Sequence, residues 1–144
     1  MFLAIDEIVK THVEDRTSRS IRINNSAGRP VWIILGSDPN VSIREDFGGG
    51  LRNKVAIQIK GGTDVANVHN RAGEAEKSHL KAKDEDYRDF WTIIAIKGVN
   101  RDRLQTESPT TNSWFDASEV FARAGPDWQE FKSRISEAVG IPES

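Results

Sequence analysis

The chain has 144 residues, 37% hydrophobic and 29% charged, with a net charge of −2 and a pI of about 5.9. That composition is ordinary for a globular protein and predicts one domain, residues 1–144, long enough to bury a core. The lack of cysteine excludes disulfides, thiolate zinc sites and thiol nucleophiles, and no apolar run or leader supports a membrane or export, which leaves a cytoplasmic protein as the expectation.

Residues 2–16 place Phe2, Leu3, Ile5, Ile8, Val9 and Val13 at helical spacing and predict a first helix. Ile21 and Ile23 alternate with Ser20 and Arg22, as in a short edge strand. "RPVWIILG" is a β-branched apolar run between Pro30 and Gly36, the pattern of a buried strand. "NVSIRE" and "KVAIQIK" alternate apolar and polar residues on either side of the turn-rich "DFGGGLRN". Thr63 or Asp64 is placed to cap a helix running to about Lys83, with Val65, Val68, Ala72 and Ala75 facing a sheet. "FWTIIAIK" predicts another buried strand and "GVNRDRLQTESPTTN" a long polar loop. "PDWQEFKSRISEAV" predicts an amphipathic helix with Pro126 in its first turn. This order predicts an α/β (α+β) domain with a mixed sheet.

Strand alternation puts Gln58 and Lys60 on one face in any register. The turn decides which residue joins them. A turn around Gly49, Gly50 and Leu51 puts Asn40 opposite Lys60, whereas a turn around Leu51, Arg52 and Asn53 puts Asp46 opposite Gln58. Asp46 leads because it carries charge; Asn40 is the other candidate. Such a cluster suits phosphodiester hydrolysis. Magnesium held by one or two carboxylates activates water and offsets oxyanion charge, and a neighbouring lysine such as Lys60 orients or helps deprotonate that water. Glu74 lies on the polar stripe of the following helix with Asn67, Asn70, Arg71, Lys77 and Lys81, where it is placed to replace a strand glutamate as metal ligand. The plainer alternatives are a solvated strand-end lysine and an ordinary Glu74–Lys77 helical pair.

Residues from about Asp38 to Thr111 resemble type II restriction endonucleases of the XcyI/XmaI kind, within the PD-(D/E)XK superfamily. The stretches "SDPNVSI", "RNKVAIQIKGGTDVANVHNRAGEAEKSH", "FWTI" and "ESPTTN" carry the resemblance. It implies a restriction-endonuclease-like αβββαβ core, a mixed central sheet flanked by helices. It also implies a homodimer that cuts double-stranded DNA with Mg2+, for which Mn2+ substitutes.

Carried over residue by residue, acid-x-lysine falls on Gln58-Ile59-Lys60. The preceding aspartate falls on Asp46 or on Asn40, which follows Pro39. Glu74 matches the glutamate that some relatives cutting GC-rich palindromes shift onto the helix. The implied catalytic residues are Lys60, Asp46, Glu74, Gln58 and Asn40. The implied metal ligands are Asp46, Gln58, Glu74, the Ile59 backbone carbonyl and, weakly, Asn40. Arg71, with Asn70 and His69, is implied as a reader of guanine in the major groove. Asn67, Lys77, Lys81, Arg52 and Lys54 complete the implied DNA contacts. Gln58 and Asn40 depart from the family's acids and imply weakened or lost activity. The chain is shorter than full-length members, which implies a portion of a longer enzyme.

Two other readings stand beside this one. A catalytically silent relative would still hold DNA phosphates through Lys54, Arg71, Lys77 and Lys81, with steep salt dependence. A protein without nucleic acid would leave the charged helix as ordinary surface.

Overall fold

A computed structural model describes residues 2–61 and 67–143. Seven strands form one sheet in sequence order: β1 (Val13–Arg16), β2 (Ser20–Asn24), β3 (Pro30–Leu35), β4 (Val41–Asp46), β5 (Leu51–Ile59), β6 (Asp89–Ile94) and β7 (Ser113–Asp116). β1 to β5 pair antiparallel, and β6 and β7 then add parallel to β5 and to each other. The helices are α1 (Phe2–Val9), α2 (Val68–Asp84), α3 (Arg101–Glu107), α4 (Ala117–Ala122) and α5 (Pro126–Val139). The β3-β4-β5 meander followed by α2 and β6 is the restriction-endonuclease-like core, in a mixed α/β fold.

Period-two alternation divides the sheet into two faces. Ile21, Ile23, Ile33, Ile43, Ile57 and Ile93 are buried on one face against Ile5 of α1, Val120 of α4 and Phe131 and Ile135 of α5. Phe115 meets Phe131 edge-on at 5.2 Å and Trp91 at 5.7 Å. Each fully buried side chain of this size contributes about 1.5–3 kcal/mol of apolar burial. On the other face α2 lies over β5 and β6, and α3 packs beside α2. Val68, Ala72, Ile94, Ile96 and Leu104 form one cluster there, and Ala56, Ala82, Tyr87 and Phe90 another.

Helix α5 has the predicted bounds. Pro126 occupies its first turn, and Gly140 ends it with φ 82°, where its N–H donates to Ser136 O at 2.9 Å. A Cβ on Gly140 would also crowd Asn25, 3.1 Å from its Nδ2.

The N-terminal expectation is corrected. α1 ends at Val9, a 3-10 turn covers Lys10–His12, and Val13–Arg16 leaves the helix to pair with β2. β2 is therefore an interior strand, not an edge. The expected loop at 98–112 contains α3, whose start is capped by Asn100 Oδ1 accepting the Asp102 N–H at 2.9 Å. β7 and α4 follow where the sequence pattern showed neither. Asp116 joins them, accepting from the N–H groups of Ile96 and Glu119 and from Ser118 Oγ. Burial pushes its carboxyl upward, but these bonds together outweigh burial and hold it below the usual carboxylate range. The expected caps Thr63 and Asp64, and Val65, lie outside the described residues.

Candidate active site

The β4–β5 hairpin turns at Phe47–Gly50, ahead of both expected positions. Asp46 faces Leu51, Arg44 faces Asn53, and Ile43 faces Val55, so Lys54 is an extra residue in a β-bulge. Asp46 thus sits at the opposite end of β5 from Lys60, about 30 Å away along the strand. Its Oδ1 accepts the Gly48 N–H at 2.8 Å and shapes the turn. The register corrects the expectation that Asp46 joins Gln58 and Lys60.

Asn40 does lie at the Lys60 end, beside Gln58 and Ile59 rather than opposite Lys60. Its Oδ1 accepts the Ile59 N–H at 2.7 Å, its Nδ2 donates to Ser37 O at 3.4 Å, and its backbone carbonyl accepts Gly36 N–H at 2.9 Å. The carboxamide extends the ladder by one rung, and the main chain occupies its oxygen. The charged group at this end is Asp38, absent from the expected set. Its Oδ1 accepts from Gln58 Nε2 at 3.1 Å and its Oδ2 from Lys81 Nζ at 3.4 Å. Gln58 is only 1% exposed, so its amide anchors Asp38 from below.

Glu74 comes to the same place from α2, with Oε2 3.9 Å from Lys60 Nζ. Lys60 is 22% exposed and Glu74 62%. Lys60 also keeps its main chain in the sheet, donating to Ile93 O at 2.9 Å. The helix brings these groups in because Val68, Ala72, Ala75, His79 and Ala82 form its buried stripe. Asn70, Glu74, Lys77 and Lys81 recur every three or four residues on its exposed side.

A buried polar chain fastens α2 beneath the site. His79 is 0% exposed, and its Nε2 pairs with Thr92 Oγ1 at 2.9 Å. Thr92 pairs with Thr111 at 2.9 Å and Thr111 with Ser108 at 2.8 Å. Ser108 Oγ and the Thr110 N–H donate to Glu76 Oε1 at 3.1 and 2.9 Å, and Thr110 Oγ1 donates to Glu76 Oε2 at 2.7 Å. Thr92 stands opposite Gln58 in the parallel β5–β6 register. Burial is the main force lowering the His79 imidazole to about 4, and the Lys60 charge adds to it; Glu76, the Trp91 carbonyl and Asp38 pull the other way. His79 is therefore neutral at pH 7. The "ESPTTN" stretch is the grip of this network on α2.

The expected DNA contacts divide. Asn70 and Lys77 are exposed on the stripe with Glu74; Asn67 is exposed at the start of α2, and Arg71 is half-buried. Lys81 reaches Asp38. His69 Nδ1 lies 2.8 Å from Glu107 Oε1 on α3, an approach not aligned as a hydrogen bond. Arg52 is at the hairpin tip, 4.8 Å from the Phe47 ring centre. Lys54 corrects its expectation: it pairs with Glu45 at 3.1 Å and donates to Ala138 O on α5, on the sheet face away from α2.

Among the described residues no three acids or histidines gather as a metal cage. The oxygen donors at this strand end are the Asp38 carboxylate on the Gln58 amide, the Glu74 carboxylate beside Lys60, and the Gln58 amide and Ile59 carbonyl of β5 itself. Magnesium needs only one or two protein carboxylates and otherwise keeps its waters, so this donor set fits a hard divalent cation. Among the described residues no helix is long and apolar enough to cross a membrane.

Known proteins match nearly the whole chain. The family described as XcyI restriction endonuclease matches residues 1–142. The type II restriction enzyme Cfr9I of Citrobacter freundii is 38% identical over 142 residues, covering 98% of this chain and 43% of that protein. The type II restriction enzyme XcyI of Xanthomonas campestris pv. cyanopsidis is 37% identical over 143 residues, covering 99% and 43%. The chain thus spans 43% of the length of the curated relatives it matches. No solved structure matches it significantly.

Proposed function

The chain belongs to the XcyI restriction endonuclease family, and on that premise we propose that it hydrolyses phosphodiester bonds of double-stranded DNA with magnesium, for which manganese substitutes. It acts in the cytoplasm as a homodimer of the PD-(D/E)XK type, one site per strand. The observation that carries this reading is the convergence of Asp38, Gln58, Lys60 and Glu74 at the end of β5.

Asp38 and Glu74 would hold the cation, with the Ile59 carbonyl and the Gln58 amide as auxiliary oxygens. Bound there, it would neutralise charge on the phosphate and lower the pKa of a water. Lys60 orients the attacking water and offsets charge gathering on the phosphate oxygens. Gln58 donates to Asp38 and so fixes the carboxylate's position; a glutamate there would set a second anion beside it. Asn40 acts on position, pinning the Ile59 N–H and with it the strand end.

Plasmid cleavage with magnesium and with manganese tests the reading. Asp38→Ala, Lys60→Ala and Glu74→Ala are each expected to slow cutting by about 100-fold or more. Undiminished cutting by Asp38→Ala would place the essential acid elsewhere. The occupied oxygen of Asn40 favours one second reading, a silent relative that binds duplex DNA and cuts with neither metal.

A further inference from the structure

The face of the sheet that carries the site continues past α2 onto β2, β3 and β4. There Arg22 pairs across the strands with Trp32, and Trp32 with Arg44. Their neighbours Ile21, Ile23, Val31, Ile33 and Ile43 point into the main core, so these three side chains stand together on the opposite face. α2 packs on β5 and β6, and the Tyr87 hydroxyl covers Ser42 by donating to its Oγ at 2.9 Å. Arg22, Trp32 and Arg44 are left half-exposed.

Among the described residues neither guanidinium has an ion pair or hydrogen bond, and Arg44 Nε is buried without a partner. Other arginines do have acids: Arg16 meets Asp6, Arg101 meets Asp127, and Arg134 meets Glu130. A guanidinium withdrawn from water without an acceptor is costly, so this row favours a partner that brings anionic oxygens.

We propose that the Arg22–Trp32–Arg44 row is a second contact surface for the DNA backbone, flanking the site of cleavage. It rests on the reading of duplex DNA as substrate. The two arginines are two strands apart, about 10 Å, and Arg44 lies four residues along β4 from Asn40, about 14 Å. The first span matches about three phosphates of one strand and the second, toward the site, about four, given one phosphate per about 3.4 Å of axis on each strand. Trp32 stands between the two arginines in the cross-strand row. An acidic polypeptide would satisfy the charges too, but continuity with the site favours the polyanion held there.

The test is binding of a short fluorescent duplex without divalent cation, titrated with salt. The variants are Arg22→Gln with Arg44→Gln, and Arg22→Lys with Arg44→Lys, each checked for folding by its melting curve. The glutamine pair is expected to bind about 10-fold more weakly and to lower the slope of log affinity against log salt by about 2, whereas the lysine pair keeps the slope. If the glutamine pair does not fold, Arg44→Gln alone must lower the slope by about 1. Unchanged affinity and slope overturn the inference and leave the endonuclease reading standing. Failure of the parent chain to bind at low salt removes both. Poly-glutamate displacing duplex from the parent but not from the glutamine pair assigns the row to an acidic polypeptide and overturns the inference.

Discussion

At the hairpin tip, Glu45 is 3% exposed and meets two cations, Arg29 at 3.4 Å and Lys54 at 3.1 Å. At the other end of β5, among the described residues, Asp38 and Glu74 each meet one lysine, at 3.4 and 3.9 Å, with more of each pair in water. Both ends combine acids with bases, yet the tip's charges are consumed by the fold. Lys54 also satisfies the Ala138 carbonyl, Asp46 shapes its turn, and Arg29 and Arg52 both lie over the Phe47 ring. The pairs around Lys60 add little stability because water screens them. For the same reason they exchange partners readily for a phosphate or a cation. Residue type does not separate the two ends; burial and the number of partners do.

The largest effect should test that contrast directly. Asp38→Ala or Lys60→Ala is expected to lower cleavage by about 100-fold or more while shifting unfolding free energy by under about 1 kcal/mol. Equal losses of activity and stability would erase the distinction.

Next is pH. The folded chain keeps His79 neutral down to about 4 against an ordinary 6.5, so between those values only the unfolded chain takes up the proton. This contribution is complete above pH 6.5 and is lost as pH falls toward 4, by up to about 3 kcal/mol. Denaturant unfolding at several pH values should show the loss, and His79→Gln should flatten it.

Glu45→Ala should cost about 2 kcal/mol in the same measurement, because it strands Lys54 and Arg29, and should leave cleavage nearly unchanged. Gln58→Glu sharpens the other end: two adjacent carboxylates should give this variant a larger rise in melting temperature on adding magnesium than the parent shows. Asp46→Ala should do least, under about 1 kcal/mol of stability and under about twofold in cutting.

Much of this was legible from the residues. β3, β4 and β5 announce themselves through β-branched runs and alternation, and α5 through Pro126 and Gly140. Alternation put Gln58 and Lys60 on one face, and the polar stripe of α2 brought Glu74 to Lys60. The short elements were not legible. "VEDR" and "SWFD" are strands because a neighbour supplies hydrogen bonds, and α3 buries only Leu104. Asp38 escaped because its approach depends on the loop closed by Gly36 N–H on the Asn40 carbonyl, which no periodicity marks. Asp46 misled because the turn falls at Phe47–Gly50 and the strand then gains a residue.

That extra residue governs more than local shape. Side chains alternate along a strand, so one unpaired position changes which residues face which side beyond it. With Lys54 present, the tip and the far end of β5 each keep their own phase: Asn53 bonds the Glu85 carbonyl at the end of α2, while Ile57 enters the core and Gln58 faces Asp38. Adding one residue to β5 between Lys54 and Ile57 would set these requirements against each other. Keeping the tip would turn Gln58 and Lys60 toward the apolar core, and keeping the core would turn the tip inside out. Added residues at Gly48–Gly50 meet no such conflict, so insertions belong in the loop and not in the strand beside it.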